Sequence, residues 1–262
     1  MHLRDCPICL GSEPRMLQFS TGTEWPLVAC ASCGFVYLGR VPGYRSQVED
    51  YGWERIARGG NKRPKPPAKS LLGRISAATN WRMGIARMRE RRRRSPLSGT
   101  TGNVLDIGCC NGCGIPPGPT PFGIEISAVL AAHGRPLFEA RGGTVICAPA
   151  VEGLDAFEDG FFSAVLLRSY LEHEERPRAV LEKVFARLKA GGIAFVRVPD
   201  YGSINRRLFG RSWCGFRFPD HVNYFSDATL RDLARRVGLR YRRTNWYSIL
   251  DDNLIVELTK PH

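Results

Sequence analysis

From residue 100 onward, short apolar runs alternate with segments of helical period. Asn103–Ile107 is an apolar run that leads into Gly108, and Pro121–Glu125 is a second that ends in an acid. Thr144–Ala148, Ser163–Leu167 and Ile193–Val198 are three more. Between the last two, Arg178–Leu188 places Ala179, Val180, Val184 and Leu188 on one side. Lys189-Ala190-Gly191-Gly192 follows, with glycine where a helix C-cap takes it. Strands alternating with helices predict an α/β fold, a parallel sheet wound on both faces. An aromatic-rich insertion spans 200–225 and holds Tyr201, Phe209, Trp213, Phe216, Phe218 and Tyr224. Ser226 then caps a predicted helix over Asp227–Val237, and strands near Arg240–Trp246 and Asn253–Leu258 complete the pattern.

The first hundred residues read differently. Cys6-Pro7-Ile8-Cys9 and Cys30-Ala31-Ser32-Cys33 are paired CxxC knuckles separated by twenty residues. This spacing predicts a four-cysteine zinc ribbon over 1–40 with Cys6, Cys9, Cys30 and Cys33 as ligands. Four protein ligands close a tetrahedral shell, so the Zn2+ is expected to be structural. A connector over 41–99 follows. Its Leu71, Ile75, Ala78, Trp81, Ile85 and Met88 fall on one helical stripe ended by Pro96. The remainder, 100–262, is the expected α/β domain. The chain has 262 residues, 43% of them hydrophobic, enough for a buried core. No run approaches the roughly 18 apolar residues of a membrane span, and the N-terminus has no signal-peptide core, so a cytoplasmic protein is expected.

Charge singles out the connector. Residues 55–94 hold 14 Lys and Arg and one acid, Glu90, which accounts for the whole net charge of +13. The rest of the chain is neutral. The segment reads as a solvated helix docked by its stripe, or as a contact for an anionic surface, either membrane or RNA phosphate.

The chemistry-bearing constellation is Val104-Leu105-Asp106-Ile107-Gly108-Cys109-Cys110-Asn111-Gly112, a strand running into a glycine loop, with Glu125 ending the next strand. At the C-terminal edge of a doubly wound sheet this suits a nucleoside. A glycine lets a ligand approach the backbone, and an acid at the end of the second strand can accept both ribose hydroxyls. Cys109, Cys110 and Cys113 fall within the same loop and read as small side chains rather than metal ligands.

These residues resemble a class I S-adenosylmethionine-dependent methyltransferase. So do Gly123-Ile124-Glu125-Ile126-Ser127, Tyr170-Leu171-Glu172-His173, Leu188–Gly192 and Val198-Pro199. The segment His221-Val222-Asn223-Tyr224-Phe225-Ser226 is similar to one in bacterial small-molecule and sugar methyltransferases that carry an N-terminal zinc knuckle. The resemblance implies a seven-stranded, mostly parallel, Rossmann-like sheet whose last strand is antiparallel, and S-adenosyl-L-methionine as cofactor. It implies that Asp106, Gly108, Cys109 and Gly112 line the methionine end, that Glu125 holds the ribose and that Ile126 flanks the adenine. Glu172 and His173 fall where relatives place acid–base residues, with His221 and Tyr224 as second candidates. The implied acceptor is a small molecule: a sugar, a nucleotide-sugar or a natural-product intermediate.

The sequence also departs from that pattern. Cys110 replaces a loop glycine, prolines at 116, 117, 119 and 121 forbid the usual first helix, and Ala148-Pro149-Ala150 stands where an adenine-binding acid is common. Two other readings therefore stand beside the first: an RNA methyltransferase gripping phosphates with the basic segment and zinc knuckle, and a pseudo-methyltransferase scaffold.

Overall fold

The computed structural model describes residues 3–17, 24–43, 97, 99–110, 112, 114–246 and 251–262. The basic segment 55–94, with its predicted helical stripe, lies outside the described residues, as do Asn111 and Cys113.

The large sheet is built from β4 (Asn103–Ile107), β5 (Thr120–Glu125), β6 (Thr144–Cys147), β7 (Phe162–Arg168), β8 (Leu188–Pro199), β10 (Arg240–Arg243) and β11 (Asn253–Thr259). Their spatial order is β10-β11-β8-β7-β4-β5-β6. The pairs from β8 to β6 are parallel, while β11 runs antiparallel to both β8 and β10. This is the expected seven-stranded, mostly parallel sheet with its last strand reversed. Both faces are buried. Leu105, Val165 and Val196 enter one apolar cluster, and their strand neighbours Val104, Leu166 and Phe195 enter the other. That alternation is what a sheet covered on two sides requires.

Among the described residues, four helices accompany the sheet in chain order: α1 (Ala128–Glu139), α2 (Ala150–Gly153), α3 (Pro177–Arg187) and, after a short α4 (Ile204–Phe209), α5 (Asp227–Arg236). Ser226 caps α5 as expected, in a reciprocal arrangement with Thr229. The end of α3 departs from expectation. The helix stops at Arg187, and Lys189–Gly192 bulge out within β8 instead of capping the helix. Leu188 already pairs with Phe162, and Ile193 pairs with Ala164, so the intervening residues must loop out of the ladder. No helix forms across 108–119 among the described residues, in keeping with the prolines.

The N-terminal strands β1 (Pro14–Met16), β2 (Leu27–Cys30) and β3 (Val36–Leu38) form a second, antiparallel sheet. Its fourth strand, β9 (Asn223–Tyr224), comes from the far end of the aromatic insertion and pairs with β3. The expected N-terminal unit is therefore joined to the large domain by a shared sheet. It also shares a core: Ile8, Val28, Phe35 and Tyr37 pack in the same cluster as Val198, Phe225 and Leu254. Among the described residues no helix is long and apolar enough to cross a membrane.

Candidate active site

A concave site of about 240 Å³ opens at the C-terminal edge of β4, β5 and β7. One half of its wall is Gly108, Cys110, Glu125, Ile126 and Ala148–Ala150. The other half is Ser169, Tyr170, His173, Glu174, Arg217 and Asp220.

The first half is shaped by backbone. Gly108 has φ +72°, and a Cβ there would sit 2.9 Å from the Tyr170 ring, so both conformation and space call for glycine. Cys110 also takes a left-handed conformation, φ +53°, and its N–H donates to Glu125 Oε2 at 2.8 Å. Ser127 N–H donates to Glu125 Oε1 at 3.0 Å. Two backbone donors thus fix the carboxylate at the mouth of β5. Beside it, Ile126, Ala148, Pro149 and Ala150 offer an apolar surface. A carboxylate for two ribose hydroxyls next to a flat apolar patch for a base fits the nucleoside part of S-adenosylmethionine.

Three residues expected at the cofactor do not line this pocket. Cys109 turns its side chain into the core with Val104, Ala131 and Phe138. It fits because position 123 is glycine; a Cβ there would come within 2.7 Å of Cys109 Sγ. Asp106 is buried one residue deeper than the pocket wall and pairs with Arg168 at 2.6 Å. Burial raises its pKa, and the Arg168 guanidinium opposes that shift. Gly112 is not on the wall.

The second half is made of side chains from distant segments. The turn at 170–174 is clamped to 222–223: Val222 and Asn223 N–H both donate to the Glu172 carbonyl, at 2.7 and 3.1 Å. Asn223 Nδ2 donates to the carbonyls of Leu171 and Glu174. Arg4, from the N-terminal unit, holds the same place with bonds to the carbonyls of Leu38, Glu175 and Val222 and to Asn223 Oδ1.

Of the four catalytic candidates, His173 alone reaches the pocket wall. Its Nδ1 lies 2.7 Å from the Asp220 carbonyl oxygen and 3.2 Å from Asp220 Oδ1. Burial lowers its pKa, but the Asp220 bond and the Glu172 carboxylate outweigh this and raise it. Glu172 is buried behind it, and burial pushes its carboxyl up to about 7. His221 packs edge-on against His173, with ring centroids 4.8 Å apart, and its Nδ1 meets the Gly215 carbonyl at 2.8 Å. Burial, with the neighbouring His173, draws His221 down to about 3, so it is neutral at physiological pH. Tyr224 is not brought to the pocket. It sits in β9 with its hydroxyl donating to the His221 carbonyl, packed among Tyr201, Phe216 and Phe218. Its pairing with β3, far away in sequence, takes it into the core.

Asp220 and Arg217, ion-paired at 2.7 Å, are wall residues that the sequence reading missed. The available signal was a second acid–histidine dipeptide, Asp220-His221, matching Glu172-His173.

The four N-terminal cysteines come together as expected. Cys6 and Cys33 sulfurs are 3.6 Å apart, Cys9 and Cys30 sulfurs 3.5 Å, and all four lie within 4.8 Å of one another. A tetrahedral ion with bonds of about 2.3 Å holds its sulfurs roughly 3.8 Å apart, so the cluster fits zinc.

Fold and pocket together define a nucleoside-binding site at the edge of a doubly wound sheet, of the class I methyltransferase type. Residues 79–244 match the family described as a methyltransferase domain, more than half of the chain, and the chain belongs to that family. An uncharacterised protein of Methanocaldococcus jannaschii is 26% identical over 140 residues, 53% of this chain and 65% of that protein's own length. A SAM-dependent methyltransferase of Archaeoglobus fulgidus shares the fold, with a TM-score of 0.50 and 16% identity over 73% of this chain and 100% of that one. A possible histamine N-methyltransferase of Thermotoga maritima gives a TM-score of 0.48 and 18% identity, over 71% of this chain and 96% of that one.

Proposed function

We propose that this protein transfers a methyl group from S-adenosyl-L-methionine to a small-molecule acceptor such as a sugar, a nucleotide-sugar or a natural-product intermediate. The observation that carries the reading is the continuity of the pocket. A nucleoside-type edge around Glu125 leads directly to a polar wall of Tyr170, His173, Glu174, Arg217 and Asp220. When bound, the cofactor supplies an electrophilic methyl group. The chain's own task is then to hold the acceptor in line and to manage its proton. Arg217 and Asp220 orient the acceptor through hydrogen bonds. His173, fixed by Asp220, faces it, and Glu172 stands behind as the other member of the acid–base pair. Zn2+ on Cys6, Cys9, Cys30 and Cys33 plays no chemical part; it shapes the sheet that carries β9, and through β9 the acceptor wall.

The test is calorimetric titration of S-adenosylmethionine and S-adenosylhomocysteine into the zinc-replete chain. Micromolar binding that Glu125→Ala removes is the expected result. No binding by folded protein would overturn the enzyme reading and leave a scaffold in its place.

A further inference from the structure

The Glu172–His173–His221 cluster has features that a proton-transfer pair does not need. The three side chains each offer one ligand atom, and those atoms all lie within 4.8 Å of one another. They come from two segments locked together by the bonds from Val222 and Asn223 to the Glu172 carbonyl. Glu172 Oε2 is fully buried and has no hydrogen-bond partner, an expensive arrangement for a carboxylate. His221 donates its Nδ1 hydrogen to the Gly215 carbonyl, and His173 Nδ1 is held by Asp220. A hydrogen bond from one ring nitrogen to a carbonyl or carboxylate is the usual way an imidazole is oriented toward a metal. His173, Asp220 and Arg197 are charged groups that act on the Glu172 carboxylate.

We propose that Glu172, His173 and His221 bind a divalent first-row transition cation in the acceptor wall of the pocket. Two imidazoles and one carboxylate suit Mn2+, Fe2+, Co2+ or Zn2+ better than Mg2+ or Ca2+, which favour all-oxygen shells. Three protein ligands leave coordination positions open. A divalent cation makes a hydroxyl bound to it more acidic. The site therefore selects a hydroxyl-bearing acceptor, whose proton leaves to solvent water as the methyl group is transferred; with the cation bound, Glu172 and His173 are its ligands, and their acid–base role belongs to the cation-free chain. This consequence rests on the methyltransferase reading; cation binding itself does not.

The experiment is an electron paramagnetic resonance titration of Mn2+ into the full-length chain carrying a single equivalent of Zn2+, enough for the four cysteines alone, with S-adenosylhomocysteine binding measured on the same preparations. One Mn2+ with a micromolar Kd is expected. It should weaken at least tenfold in both Glu172→Gln and His221→Gln, while S-adenosylhomocysteine binding in those variants shows that they fold. Asp220→Asn, which leaves the three ligands in place, should weaken it about tenfold. No specific Mn2+ binding by the wild-type chain overturns the proposal, as does an unchanged Kd in both ligand variants. Mn2+ binding without cofactor binding upholds the cation site and defeats the methyltransferase reading. Cofactor binding without Mn2+ does the reverse.

Discussion

The two halves of the pocket are built by different means. The nucleoside half is local: Gly108, Cys110, Glu125 and Ser127 fall within twenty residues, and backbone N–H groups set the carboxylate directly. The acceptor half is assembled from afar. His173 and Asp220 are held by contacts among residues 4, 38, 171–175 and 222–223, and the N-terminal sheet continues into β9. A site made by backbone needs only its own loop. A site made by side chains needs every segment that positions them, and here these include Arg4 and Leu38 of the N-terminal unit, more than a hundred residues away in sequence.

The largest effect should come from breaking the remote support. On the proposed zinc reading, Cys30→Ser removes one ligand of a site whose metal binding is itself folding energy, so the melting temperature should fall by more than about 10 °C. A small shift in a thermal melt would mean that the N-terminal sheet stands without its ion. Glu125→Ala acts on the local half. Losing two charge-assisted bonds to ribose costs about 3 kcal/mol, or about 100-fold in S-adenosylhomocysteine affinity by calorimetry, and less than tenfold would place the ribose elsewhere. Arg4→Ala leaves the carbonyls of Leu38, Glu175 and Val222 without this donor. A cost of about 2 kcal/mol is expected, seen as a drop of about 4–8 °C in a melt, with cofactor affinity unchanged. The smallest effect is Cys110→Gly. Left-handed backbone costs a side-chain-bearing residue about 1 kcal/mol, and glycine's extra unfolded-state freedom offsets much of that, so stability should move by less than about 0.5 kcal/mol. Cofactor affinity should hold or tighten up to about threefold; a clear loss would show that the Cys110 side chain contributes to binding.

The same division governs what was legible in the sequence. β4 was readable to the residue because its apolar run ends at a glycine that the turn requires. The place of Glu125 at the mouth of β5 was readable because the apolar run ends in that acid. α1 was missed because Gly134 and Pro136 interrupt its pattern, although Ser127 caps it. The fate of Tyr224 was hidden, because only the pairing of β9 with β3 draws it into the core. Cys109 belongs to the core because Gly123 vacates space on a neighbouring strand, and no one-dimensional spacing records that. Periodicity and motif report what a segment does with its own backbone; they are blind to partners supplied from elsewhere.

The central claim is that the N-terminal cysteine site supports the acceptor half and not the cofactor half. Hydrogen–deuterium exchange on the full chain, wild type against Cys30→Ser, tests it directly. The account predicts that protection falls in 170–175 and 213–225 while 103–108 and 120–127 keep theirs. Equal loss across all four segments, or none in the first two, would contradict it.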